Sequence, residues 1–93
     1  MDIKNELKKL IDVAPEIKSK AKSTSGLLLP KRLSNVPEFE EWLLNVRKVV
    51  NETDNLILKS RIEKKCNEFG YIHDIRCFDI LLKLLQDLHN KIE

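Results

Sequence analysis

Residues 74–92 read DIRCFDILLKLLQDLHNKI, from Asp74 to Ile92. On a helical wheel, Ile75, Cys77, Phe78, Ile80, Leu81, Leu82, Leu84, Leu85, Leu88 and Ile92 fill well over half the circumference. Arg76, Asp79, Lys83, Gln86, Asp87, Asn90 and Lys91 share the remaining strip. A surface helix of a globular domain needs an apolar stripe of about 100°. An arc of roughly 220°, at 100° per residue, calls for helical neighbours on two or three sides. The stretch is therefore expected to be the central helix of a small bundle, with the rest of the chain supplying its neighbours.

Working back from it, Tyr71 to His73 reads as a turn, with His73 or Asp74 capping the helix that follows. The segment before that turn is a helix ending near Phe69, with Gly70 suited to the position just past its C-terminus. Its apolar stripe is Leu58, Ile62, Cys66 and Phe69, while Leu56 and Ile57 lie off the stripe. Asn51 to Asp54 is a short polar break in which Thr53 or Asp54 is expected to cap. Another helix spans about residues 36–51. Ser34 and Asn35 offer capping oxygens, Pro37 suits a first turn, and Glu38, Glu40 and Glu41 sit at the positive end of the dipole. Phe39, Trp42, Leu43, Val46, Val49 and Val50 form its buried stripe, and Leu44 points away. The first helix is expected from Asp2 to about Lys22, striped by Ile3, Leu7, Leu10, Ile11, Ala14, Ile17 and Ala21. Pro15 removes the bond to the Ile11 carbonyl and should kink or break the helix. The stripe keeps its phase on both sides of Pro15, which favours one kinked helix over two.

Residues 23–36, STSGLLLPKRLSNV, are the long connection. Leu27, Leu28 and Leu29 run in a row before Pro30, too short and too close to proline to start a helix. The segment reads either as a loop strapped over the bundle with a leucine or two buried, or as an exposed apolar tip that a partner covers. The expected fold is all-α. It is a four-helix bundle, mostly up-and-down, with one crossover loop at about 23–36 and a central C-terminal helix.

A chain of 93 residues makes one domain, taken here as 1–93. Its 42% hydrophobic and 34% charged content is ordinary for a charged helical protein. Two glycines and three prolines leave little room for sandwich or barrel turns. No stretch approaches the roughly 20 apolar residues of a membrane span. MDIKNELKKL has no uninterrupted apolar core, so a secretory leader is not expected. With two cysteines lacking close spacing, this points to a reducing cytoplasm. Thirteen lysines against four arginines suggest an AT-rich bacterial or phage genome. The helical pattern runs almost to Glu93, which leaves open a longer parent protein.

Chemistry-bearing constellations are sparse. Cys66, His73 and Cys77 offer thiolate and imidazole, the ligand types zinc takes. The C-x6-H-x3-C spacing lacks a CxxC knuckle, however, and Asp74 or His89 would have to be the fourth ligand. Both cysteines fall on apolar helix faces, where a free thiol behaves as a small hydrophobe. His89 sits at the edge of the apolar arc beside Leu82 and Ile92. There is no Gly-rich phosphate loop, no GxSxG and no HExxH. The expectation is a chain that is not an enzyme and takes no cofactor or metal.

Charge is unevenly distributed. Net charge is +4 over residues 1–35, −3 over 36–58, +3 over 59–65 and −2 over 66–93, for a total of +2. Such a pattern suits orientation of a protein partner or head-to-tail self-association. An interface of that kind would use Leu27, Leu28, Leu29, Leu44 and Ile57 as apolar anchors, with Lys31 and Arg32 as rim charges. A homodimer is within this reading. The alternative is a small regulator of phage or plasmid type that binds nucleic acid through Lys18, Lys20, Lys22, Lys31 and Arg32. Nucleic-acid binders usually carry more net charge and more arginine or aromatic readout than this chain does.

The pattern PEFEEWLLNVRKVV, followed by a charged helix and then DIRCFDILLKLLQDL, resembles small helical domains at the N-termini of bacterial multidomain proteins, several of them linked to phage defence. Phe39, Trp42 and Val46 carry the F-x-x-W-x-x-x-V helix of that pattern, ahead of the Leu-rich helix. The likeness spans about two-thirds of the chain and brings no catalytic residue with it. It implies an accessory, sensing or assembly role beside an effector domain.

Overall fold

The computed structural model describes residues 2–21, 32–33, 36–69 and 75–92. Among them are four helices: α1 (Ile3–Ser19), α2 (Pro37–Asn51), α3 (Leu56–Glu68) and α4 (Ile75–Lys91). They pack in a closed ring, α1 against α2, α2 against α3, α3 against α4 and α4 against α1. Contacts fix the directions. Lys20 at the end of α1 pairs with Glu38 at the start of α2, and Lys18 of α1 pairs with Asp79 near the start of α4. Lys59, early in α3, reaches the carbonyl of Asn51 at the end of α2. The architecture is an up-and-down four-helix bundle.

α4 approaches two helices along its length, α1 and α3, and its Phe78 ring reaches a third, α2, at Phe39 and Trp42. Its fully buried face is Phe78, Leu81, Leu85 and Leu88, a stripe at 3- and 4-residue spacing. The apolar arc is wider than the buried one. Cys77, Leu82 and Leu84 are half-buried, and Ile80, counted with the arc on the wheel, is 49% exposed.

α1 is one continuous helix through Pro15, which lies on its exposed side. Asp2 caps it by accepting the Asn5 amide at 3.2 Å. It ends at Ser19, earlier than the expected Lys22. The Ser19 hydroxyl donates to the Glu16 carbonyl at 2.6 Å, and the Lys20 amide bonds the Ile17 carbonyl, tightening the last turn. Leu7, Leu10, Ala14 and Ile17 are its buried face.

α2 starts differently from the expectation. Ser34 and Asn35 lie outside the described residues, and the N-cap is Val36, which makes no side-chain capping bond. Pro37 follows at the first helical position, where its missing amide costs nothing. Val36 and Leu33 are buried, so apolar packing fixes this helix entry. The cap of α3 is Asn55, not Thr53 or Asp54. Asn55 Oδ1 accepts the Leu58 amide at 3.1 Å. Thr53 is instead buried, and its Oγ1 accepts the Asn55 amide at 3.3 Å, setting the cap in place.

The core has an aromatic end. Phe39 lies 5.0 Å from Phe69, 6.1 Å from Phe78 and 6.2 Å from Trp42, centroid to centroid. Trp42 and Phe78 are 4.9 Å apart. The buried Trp42 indole donates to the Leu10 carbonyl at 3.0 Å, pinning α2 to α1 one turn ahead of Pro15. Trp42→Phe keeps most of the ring packing but withdraws that donor. It should cost about 1–3 kcal/mol, read as a lower urea midpoint at unchanged m. An unchanged midpoint would mean that the indole bond contributes nothing.

Candidate interaction surface

Of the residues picked out in the sequence for an interface, Leu27, Leu28, Leu29 and Lys31 lie outside the described residues. Leu44 and Ile57 are described, and both are solvent-facing, 53% and 68% exposed. Arg32 is also exposed. Two further apolar side chains join them: Leu56 at 73% and Ile80 at 49%. Leu56 was legible as off-stripe. Ile80 was not, because a wheel shows how wide an apolar arc is and not how much of it the neighbours cover.

Leu44 follows from the phase of α2. Phe39, Trp42, Val46, Val49 and Val50 face the core, which leaves residue 44 on the opposite side of a 3.6-residue repeat. Glu40 and Glu41, one turn earlier, are exposed beside it. Ile57 follows from α3 in the same way, since Leu58, Ile62 and Cys66 define its core side. Leu56 and Ile57 both fall in the first helical turn after the Asn55 cap.

The basic cluster expected for nucleic acid is arranged otherwise. Lys18 is bridged to Asp79 at 2.9 Å and Lys20 to Glu38 at 3.9 Å. Both cations thus serve contacts between helices. Lys22, like Lys31, lies outside the described residues.

Between α1 and α2 runs an open groove of about 530 Å³. Leu10, Val13, Ile17, Trp42 and Val49 form its floor, and Glu6, Lys9, Glu38, Glu41 and Lys48 its sides. Most of the floor is buried by the packing of the two helices themselves.

Cys66 is buried and Cys77 half-buried. Burial pushes the Cys66 thiol up to about 11, with the positive Arg47 pulling it down and the negative Glu63 pushing it up. A thiol so held is protonated at neutral pH. His73, which completes the zinc-like spacing, lies outside the described residues. Among the described residues, no group of three or more His, Cys, Asp or Glu side chains converges to hold a metal ion. Among them, too, no helix is long and apolar enough to cross a membrane.

No family model, curated protein or solved structure matches this chain.

Proposed function

We propose that this domain is a non-enzymatic protein-interaction or assembly module, the accessory or sensing part of a bacterial defence or regulatory protein. The observation that supports the reading most is the exposure of Leu44 and Ile57. Each stands on a well-formed helix whose own core stripe is complete without it. Exposed large apolar side chains rimmed by charge are the composition of interface anchors. Single exposed hydrophobes are common on monomers. Four on three helices of so small a domain weigh toward binding. The resemblance of the Phe39–Val46 helix and the Leu-rich helix to defence-associated N-terminal domains supports the same reading. The nucleic-acid alternative has less behind it, because Lys18 and Lys20 are engaged with carboxylates.

The double variant Leu44→Ser/Ile57→Ser tests this. Neither side chain is in the core, so the melting temperature should stay within a few degrees of wild type. Affinity for a protein partner or for self should fall about tenfold or more. A variant that binds its partner as wild type does would sink the proposal.

A further inference from the structure

The outer face of α2 carries its charges in an order that fits one partner, and the inference rests on the interaction-module reading above. α2 has 15 residues, and Leu44 is the middle one. It stands opposite the core side of the helix. Glu40 and Glu41 precede it by four and three residues, and Arg47 and Lys48 follow it by three and four. All five side chains are exposed. At about 100° per residue, Glu40 and Arg47 share the flank toward α3, while Glu41 and Lys48 share the flank toward α1. Arg47 donates to Asn67 of α3 at 3.3 Å from the first flank, and Glu41 and Lys48 line the groove with α1 on the second. Each flank thus has an acid about 4.5–6 Å before Leu44 and a base as far after it. Among the described residues, none of these four charges closes an ion pair within the chain.

Such a face is complementary to itself. A two-fold axis in front of Leu44, perpendicular to the helix, lays a second α2 antiparallel on the first. Glu40 of each copy then meets Arg47 of the other, Glu41 meets Lys48, and Leu44 meets Leu44. A parallel pairing would set acid on acid and base on base. The neighbouring helices leave this order intact. Lys9 and Glu6 of α1 pair at 3.4 Å, and Lys20 takes Glu38 at 3.9 Å. Glu16, one turn before Lys20, lies at the acidic end of the face. Lys59 and Glu63 are the charges α3 turns to α2, one of each sign. Glu52 lies past the end of α2, two turns from Leu44. The helix dipole favours an acid in the first turn and a base in the last, but it fades within one turn of each end. Glu41 and Arg47 lie inside those limits. On α4 the signs alternate instead, through Arg76, Asp79, Lys83, Asp87 and Lys91.

We propose that the domain forms a closed dimer in which α2 of one copy packs antiparallel on α2 of a second, with Leu44 at the two-fold axis. The interface is isologous: one patch serves both copies, and a single pairing uses it up. Its centre is apolar and its rim is charged. A single helix face buries less than about 1,200 Å², so the dimer is concentration-dependent, and its exposed ion pairs weaken with salt.

Sedimentation equilibrium over a concentration series tests this on the full chain, with far-UV circular dichroism to verify folding. The wild-type mass should rise from one chain to two and go no further. Glu40→Lys/Glu41→Lys makes the face wholly basic, and Arg47→Glu/Lys48→Glu makes it wholly acidic. Each should raise its own dissociation constant about tenfold or more, because like charges then oppose one another. Mixed in equal amounts, the two should pair again. A chain with all four reversals keeps the order with its signs exchanged and should dimerise by itself. If a reversed pair loses helical signal, Leu44→Asp supplies the monomeric control. The proposal is overturned by a wild type that stays monomeric or grows past two chains, by reversed pairs or Leu44→Asp that still dimerise as wild type does, or by a mixture that stays monomeric. A monomeric wild type that binds another protein, and loses that binding in Leu44→Ser/Ile57→Ser, would remove the dimer and leave the interaction-module reading standing.

Discussion

Phe39→Ala is expected to lower stability by about 3–5 kcal/mol, the usual cost of truncating a buried phenylalanine. A domain of this length has roughly 5–14 kcal/mol to lose, at 0.05–0.15 kcal/mol per residue. The melting temperature should fall by about 12–40 °C, at 4–8 °C per kcal/mol for a domain of this size. Phe39 is the sensitive position because its ring touches all three other members of the aromatic end: Trp42, Phe69 and Phe78. Those contacts tie α2 to α4 and to the end of α3. Removing the ring opens a void where three helix termini meet, and rigid neighbours refill such voids only partly. Phe39→Leu, which keeps most of the volume, should cost distinctly less. Thermal melts of the two variants beside Leu44→Ala separate the cases. Leu44→Ala should stay within about 0.5 kcal/mol of wild type. A Phe39→Ala loss below about 1 kcal/mol would mean that the aromatic end is loosely packed.

What the sequence discloses depends on which interactions decide each feature. Helix number and core stripes are set by periodicity, a local property, and Phe39, Trp42, Val46, Leu58, Ile62, Phe78 and Leu85 are all buried as their spacing requires. The continuity of α1 across Pro15 was readable for the same reason, since the stripe stays in phase. The cap of α3 was not. Thr53, Asp54 and Asn55 are all competent caps in a row, and the choice falls to Asn55 because Thr53 is drawn into the core by tertiary packing. Leu33 and Val36 are buried from a stretch with no periodicity, so no pattern marked them.

The surface divides similarly. Leu44 and Ile57 could be found because they contradict the phase of their own helices. Ile80 could not, because it agrees with the phase of α4, and its exposure is set by how closely α3 and α1 approach. The uneven charge of the chain pointed to a basic patch at Lys18 and Lys20. Folding spends those two cations on Asp79 and Glu38, residues 61 and 18 positions away along the chain. Exposed pairs of this kind contribute little to stability. Their consequence is electrostatic: they reduce the positive field of α1 and leave the α3/α4 side as the more basic half of the bundle.

Alkaline pH should expose the buried thiol. Cys66 is 1% exposed on the core side of α3, and burial pushes its thiol up to about 11, against an ordinary value of 9.0. The folded state therefore holds a proton that the unfolded chain has already released. Between about pH 9 and pH 11 the native state binds more protons than the unfolded state, and stability falls as pH rises. Below the ordinary thiol range the contribution is fully present, and it is used up as pH passes the folded value. The whole span corresponds to on the order of 3 kcal/mol, a large part of the stability of so small a domain. The difference from a variant is the informative quantity. Cys66→Ala loses a sulfur's worth of packing at neutral pH but no longer carries the titrating group. Urea midpoints of wild type and Cys66→Ala should be separated at pH 7, with wild type higher, and should converge or cross by pH 11. Parallel curves across that range would show that the Cys66 thiol does not keep its proton when the domain folds.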